Sequence, residues 1–307
     1  TMRFDSLLKA MKTSAKLIMV GDYHQLPSVG AGNILHDLIE SDTIPMVELN
    51  QIFRQAAESL IITNAHAIVN GEMPELSIKN KDFFFMGQTN PEKVSETILD
   101  LCSFRLPKTY GFSSLDDIQV LCPQRKGELG VIELNKKLQA RINPKQGKFS
   151  EFQNGFYSFR VGDKVMQTRN NYDIEWKKDD DSGTGIFNGD IGIIKMIDKG
   201  SSTIAIDFDG RLAYYTFEMA NELELAYAIT VHKSQGCEFE AIILPILGGY
   251  DKLYFRNLLY TAVTRAKQIL IIIGSKNRVN FMVSNNLKML RYTGMKEMLQ
   301  ESVLGDE

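Results

Sequence analysis

The feature that most constrains this chain's fold is a change of rhythm partway along it. Near the start, Leu7, Leu8 and Met11 recur at helical spacing, and Leu17-Ile18-Met19-Val20 then reads as a short buried strand running into the turn Gly21-Asp22. The pattern repeats with Met46-Val47-Glu48-Leu49 as a strand and residues 56–69 as a helix. It returns with Ile118-Gln119-Val120-Leu121 followed by a helix over residues 131–138. Strand and helix in alternation build a parallel sheet with helices on its faces. From about Phe149 to Ala226 the texture becomes short β-rich runs punctuated by Gly, Asn and Asp, among them Ile191-Gly192-Ile193-Ile194 and Thr203-Ile204-Ala205-Ile206. That spacing predicts a small antiparallel barrel. The first rhythm then resumes with a strand over 241–244, a helix over 258–267 and a strand over 270–273, so the barrel reads as an insertion. Residues 289–299 predict a last, weakly packed helix, and no internal repeat is present.

Apolar residues make up 44% of the chain and charged residues 24%, which places it among folded globular proteins rather than disordered ones. The formal net charge of -3 supplies no global positive field, so any contact with nucleic acid must come from a local groove. Cys102, Cys122 and Cys237 are odd in number and far apart, which argues against a disulfide framework or a structural zinc site and fits a reducing cytoplasm. The longest apolar runs, such as Ile269 to Ile273, are too short to span a bilayer. No signal peptide is evident, so a soluble cytoplasmic protein without a membrane partner is expected.

Four segments carry candidate chemistry. Gly21 to Gly30 follows a strand at the place where α/β proteins present ligand loops, and Gln25 there can both donate and accept a hydrogen bond, toward a γ-phosphate or an attacking water. Arg54, in Gln51-Ile52-Phe53-Arg54-Gln55, and Arg265, in Leu259-Tyr260-Thr261-Ala262-Val263-Thr264-Arg265-Ala266-Lys267, each set a guanidinium in a largely uncharged setting. Such a group suits the charge spread over phosphoryl oxygens. Taken singly, a surface turn explains Gln25 and ordinary surface charges explain the two arginines. Thr230, His232, Lys233 and Ser234 crowd a junction before a buried strand and can reach a nucleic-acid backbone, with Gln235 and Gly236 close to a nucleotide. His232 has no metal-site spacing to the other histidines, so no metal site is expected in the chain.

Taken in chain order, the four segments resemble motifs III, IV, V and VI of superfamily 1 helicases, with wording similar to the RecD-like and TraA-like branch. Val120-Leu121-Cys122-Pro123-Gln124-Arg125, Gly162-Asp163-Lys164-Val165-Met166-Gln167 and Asn188-Gly189-Asp190 strengthen the branch. The resemblance covers nearly the whole chain and implies an α/β fold with a RecA-like, P-loop NTPase-type parallel sheet and an inserted SH3-like barrel. It divides the chain into the end of a first motor domain (1–50), a second motor domain in two segments (51–148 and 227–285), the barrel (149–226) and a tail (286–307). It also implies that Asp22, Gln25, Arg54, Gln235, Gly236 and Arg265 surround ATP, with Gln25, Arg54 and Arg265 catalytic. Pro123, Arg125, Thr230, His232, Lys233 and Ser234 would lie along single-stranded DNA, and movement would run 5′ to 3′ as in an exodeoxyribonuclease V alpha subunit.

A P-loop requires G-x-x-x-x-G-K-[ST], and no such string occurs; the one Gly-Lys pair, Gly147-Lys148, is followed by Phe149. Nor does an apolar strand end in Asp-Glu. The resemblance therefore implies a chain that begins inside its first motor domain, with ATP and Mg²⁺ used by the intact parent and neither held tightly by this chain alone. Lacking the phosphate cradle, the chain alone is expected to turn over no ATP. The missing N-terminal motor half and the subunits of a nuclease complex are the implied protein partners. Two other readings stand beside this one: an ATP-independent nucleic-acid-binding module, and the helicase part of a TraA-like conjugative relaxase. Phe83-Phe84-Phe85 reads as a buried strand rather than a stacking platform, Lys177 to Asp181 as a solvated barrel loop, and Trp176 with Tyr172 as candidates for stacking on DNA.

Overall fold

The computed structural model describes residues 2–27, 30, 32–49, 58–78, 81–145, 147, 151–155, 157–286 and 293–304. The helices are α1 (Met2–Ala10), α2 (Ile34–Ser41), α3 (Leu60–Asn70), α4 (Pro91–Asp100), α5 (Leu106–Tyr110), α6 (Val131–Ile142), α7 (Arg256–Val263), α8 (Lys276–Ser284) and α9 (Met295–Leu304). The strands begin with β1 (Phe83–Gly87), β2 (Ile118–Cys122), β3 (Glu151–Asn154), β4 (Tyr157–Arg160), β5 (Lys164–Gln167), β6 (Asn171–Lys178) and β7 (Asp181–Ile186). They continue with β8 (Ile191–Asp198), β9 (Thr203–Phe208), β10 (Arg211–Thr216), β11 (Leu223–Leu225), β12 (Ala228–Thr230), β13 (Phe239–Ile246) and β14 (Ala266–Gly274).

Five of the strands form a parallel sheet in the order β1-β14-β13-β2-β12. Its apolar runs alternate between two faces, as a pleated strand requires. Ala241, Ile243, Ile269, Ile271 and Ile273 pack toward α4, α5 and α6, whereas Ile242, Leu244, Ile246, Leu270 and Ile272 pack toward α3, α7 and α8. Sequence order β1-β2-β12-β13-β14 maps onto a sheet whose centre is β13, so the loops after β2, β12 and β13 open at one end of the sheet. The inserted region forms a seven-stranded antiparallel sheet, β11-β5-β8-β9-β10-β6-β7, with the separate hairpin β3–β4 beside it.

One buried carboxylate ties the two ends of this insertion together. Asp163 accepts from Gln139 Nε2 (2.6 Å) and Asn143 Nδ2 (2.8 Å) on the leading side, from the backbone of Arg160 (2.7 Å), and from the Tyr227 hydroxyl (2.8 Å) on the returning side. Burial still raises its carboxyl above the usual carboxylate range, and those four donors oppose the rise. The returning segment is held again by Asn135, whose amide bonds Leu225 O, Ala228 O and Ala228 N, and by Gln119, which donates to Ala226 O and Tyr227 O.

Several expected elements differ. Residues 17–20 and 46–49 are not strands: Ile18, Val20, Val47 and Leu49 are 84%, 94%, 86% and 94% exposed. Among the described residues no neighbouring strand pairs with either run, and an apolar segment without ladder partners has no reason to stay extended and buried. The helix expected over 56–69 spans Leu60–Asn70, started by the Ser59 cap on Ile62 N and closed at Gly71, whose φ of 80° only glycine adopts freely. The helix expected over 258–267 stops at Val263, because pairing of Ala266 with Phe239 already belongs to the sheet and draws Lys267 into β14. Of the last helix expected over 289–299, residues 289–292 lie outside the described residues; the described helix spans Met295–Leu304, and it and the preceding Thr293 meet α2 through Thr293–Asp37 (2.5 Å) and Gln300–Ser41 O (3.3 Å). Phe83-Phe84-Phe85 is strand β1, with Phe83 buried, as expected.

Candidate nucleotide and nucleic-acid faces

The loop at residues 22–26 is held by polar contacts to α7 and the turn before β13. The Tyr260 hydroxyl donates to Asp22 Oδ2 (2.8 Å), Asn257 Nδ2 to His24 O (2.8 Å), Leu26 N to Thr261 Oγ1 (2.8 Å), and Gln235 Nε2 to Leu26 O (2.5 Å). The Leu26 side chain is buried in the core of the α3, α7 and α8 face. Within the loop, Gln25 Nε2 donates to Asp22 Oδ2 (3.1 Å), which leaves the Gln25 carbonyl oxygen as its second polar handle. Burial pushes the Tyr260 hydroxyl well above its usual range, with the Asp22 carboxylate adding to the rise, so Tyr260 stays a donor to Asp22 at any ordinary pH.

Arg265 follows the last turn of the same helix and is 7% exposed. Its Nε donates to Thr261 O (3.3 Å), Nη1 to Cys237 O (3.1 Å) and Nη2 to Thr264 Oγ1 (3.3 Å). Among the described residues it forms no ion pair. A buried guanidinium satisfied only by neutral acceptors is a costly arrangement that suits an incoming anion. Leu26 and Arg265 thus both bond Thr261, one at its hydroxyl and the other at its carbonyl, and Gln235 bonds Leu26 O, whereas the Gln25 side chain bonds Asp22. Gly236 completes the turn with φ 82°. Arg54 lies outside the described residues.

A second cluster gathers at the ends of β2 and β12. The Arg125 guanidinium is bidentate on Glu224, at 2.8 Å and 3.3 Å, and Lys233 Nζ lies 3.0 Å from the same carboxylate. Although burial alone would raise the Glu224 carboxyl, these two cations hold it below the usual range. Thr230 caps the turn Val231–Ser234 by accepting from Lys233 N (3.3 Å). His232 is exposed at its edge, and partial desolvation lowers its imidazole below the ordinary value, so it is neutral near pH 7. Two expected strand contacts face inward instead. Ser234 is fully buried and donates to Val231 O (2.8 Å), closing the turn, and Pro123 is buried where β2 ends. Trp176 likewise covers Gly183 and lies against Arg211, 5.8 Å from ring centroid to guanidinium carbon, whereas Tyr172 is 66% exposed and meets Phe187 edge-on.

Residues 134–208 match the family described as ATP-dependent RecD-like DNA helicase SH3 domain, residues 225–273 the UvrD-like helicase C-terminal domain, and residues 1–84 an AAA domain. The ATP-dependent RecD2 DNA helicase of Deinococcus radiodurans is 34% identical over 272 residues, covering 88% of this chain and 34% of that protein. The RecBCD enzyme subunit RecD of Mycobacterium tuberculosis is 27% identical over 312 residues, covering 97% of this chain and 51% of that protein. The chain belongs to the RecD-like superfamily 1 helicases. It spans between a third and a half of the length of these RecD-like relatives. A solved Pif1 helicase from Bacteroides, in complex with ADP-AlF3 and ssDNA, has a TM-score of 0.48 and 19% identity over 94% of this chain and 66% of that one, a likeness too slight to argue from. The RecD-like SH3 match runs from α6 through β9 of the antiparallel sheet, and the UvrD-like match starts at the end of β11 and covers β12, β13 and most of β14 of the parallel sheet.

Within this RecD-like chain, several residues that organise the two clusters escaped the sequence reading. Tyr260 and Thr261 sit inside the segment that contains Arg265, and Asn257 precedes them on the same helix, so helical spacing from Thr261 was the available signal. Glu224 gave none, since Leu223-Glu224-Leu225 reads as ordinary strand alternation.

Proposed function

We propose that this chain supplies the second motor domain, the inserted barrel and the nucleotide-sensing loop of an ATP-dependent DNA helicase that moves 5′ to 3′ in DNA recombination or repair. The observation that supports the reading is the docking of residues 22–26 on α7, the helix that leads into Arg265, a buried guanidinium without a carboxylate partner among the described residues. The domain limits are those the resemblance implies, with residues 1–50 as the end of the first motor domain. In the intact protein Gln25, Arg54 and Arg265 would face the outer phosphate of ATP, and Asp22, Gln235 and Gly236 would frame it. Bound nucleotide with Mg²⁺ supplies the phosphoryl group whose loss drives movement. Gln25 offers its carbonyl oxygen to water, Arg265 neutralises anionic charge, and Tyr260 keeps Asp22 and the loop in place.

Arg125, Thr230, His232 and Lys233 form the face toward single-stranded DNA, Arg125 and Lys233 as cations and the other two as neutral partners. The missing motor half, and nuclease-complex subunits such as those named for the RecD relatives, are the protein partners, in the cytoplasm. With no G-x-x-x-x-G-K-[ST] string in its 307 residues, the chain alone binds single-stranded DNA without turning over ATP. Fluorescence anisotropy with labelled oligothymidylate and a parallel ATPase assay test this. DNA-stimulated turnover that Arg265→Ala abolishes would overturn the inactivity, and absence of any DNA binding would overturn the strand face.

A further inference from the structure

We propose that Glu224 is a built-in competitor for the phosphates of single-stranded DNA, holding Arg125 and Lys233 in reserve until a polyanion displaces it. The inference rests on the reading above that these two cations face the strand. Arg125 presents its planar fork to both oxygens of Glu224, the same bidentate geometry with which a guanidinium grips two phosphate oxygens. Lys233 adds a third contact from a different element. The carboxylate therefore occupies the very donors a phosphate would use, and one negative charge screens two positive ones.

The three side chains come from three places: Arg125 from the loop after β2, Lys233 from the turn after β12, and Glu224 from β11, the edge strand of the antiparallel sheet. Arg125 is 45% exposed and Lys233 24%, so both are reachable from solvent while still paired. Ion pairs this exposed contribute little to folding, and stability alone gives weak reason for the arrangement. Its effect falls on binding. A single mobile anion must displace a carboxylate tethered beside two cations and gains little. A strand that brings several linked phosphates displaces it once and keeps the gain, so Glu224 favours polyanions over isolated phosphate.

The test is anisotropy of fluorescein-labelled oligothymidylate titrated with the chain at several salt concentrations, comparing wild type, Glu224→Gln, Arg125→Ala and Lys233→Ala, with thermal melts as a folding control. Glu224→Gln is expected to bind about 3- to 10-fold tighter at low salt, with the log–log salt slope little changed because the same phosphates are neutralised in both proteins. Both alanine variants should bind more weakly. Unchanged or weaker binding by Glu224→Gln, while the alanine variants lose affinity, overturns the competitor role and leaves the strand face standing. No loss in either alanine variant overturns the strand face and the competitor with it. Should Glu224→Gln melt early, Glu224→Asp carries the test: its shorter side chain cannot span both cations, so tighter binding than wild type supports the proposal and equal or weaker binding overturns it.

Discussion

Leu17 to Val20 and Ile269 to Ile273 are chemically alike, yet the first lies in solvent and the second lies at the heart of the molecule. Ile18 and Val20 are 84% and 94% exposed, whereas Leu270, Ile272 and Ile273 are completely buried between β1 and β13. The difference is the ladder. β14 has a parallel partner on each side, so its amides and carbonyls are paired and its side chains are covered by helices on both faces. Among the described residues, the apolar runs between residues 2 and 49 lack such partners. The contact that matters there is polar: the backbone of residues 24–26 and the Asp22 carboxylate are bonded to Asn257, Tyr260, Thr261 and Gln235. One region is held by its own packing, the other by hydrogen bonds to a helix it does not belong to.

The sharpest way to break that contrast is to delete the same kind of methyl groups in both regions. Leu270→Ala should destabilise the chain by about 2–5 kcal/mol in urea unfolding, from lost burial plus the cavity left behind. Val20→Ala should change it by less than about 0.5 kcal/mol. Similar losses at both sites would mean that residues 17–20 are buried in solution. A second probe asks how a buried charge fares within the packed body. Burial lowers Lys164 to about 8, and its ammonium has Ile118 O at 3.3 Å and the Phe239 ring at 5.6 Å. Between about pH 8 and the ordinary lysine value near 10.4, the unfolded chain holds a proton that the folded one has released, so stability should rise with pH across that window. Wild type should gain on the order of 3 kcal/mol relative to Lys164→Met from the bottom to the top of the window. Parallel pH profiles for the two proteins would refute it.

The smaller effects belong to the docked loop. Thr261→Val keeps the shape of a fully buried side chain but removes the acceptor of Leu26 N. Hydrogen exchange at Leu26 should speed up by about 5- to 30-fold, equivalent to roughly 1–2 kcal/mol of lost local protection, while amides of β13 and β14 change little. Equal acceleration throughout would show that loop and sheet open as one unit. Asn257→Ala should do less, about 1 kcal/mol read from limited proteolysis near residues 22–30, because three of the four tethers remain.

What the sequence made legible follows from the same distinction. The strands at 118–122, 239–246 and 266–274, and the change to antiparallel texture, were readable because periodic apolar residues there meet their partners within the chain. Residues 17–20 and 46–49 carry an equally strong pattern, and it misled, since periodicity reports what a segment can bury and not whether a neighbour is present. At the candidate site, Gln25, Gln235 and Arg265 were singled out by their residue types and the order of their segments, and the structure links Gln235 to Leu26, the residue after Gln25, and Leu26 and Arg265 to Thr261. Ser234 and Pro123 were read as surface contacts, yet one closes a turn and the other ends a strand. Glu224 was invisible because its importance depends on Arg125, 99 residues away, and on Lys233 beyond the next strand.

Asp163 bears on how the insertion travels with the rest of the molecule. Since one carboxylate gathers residues from the end of α6, from the hairpin β3–β4 and from Tyr227, the antiparallel sheet is mounted like a fin on a keel rather than swung from a cord. On such a mounting, a turn of the parallel sheet is expected to carry the antiparallel sheet with it.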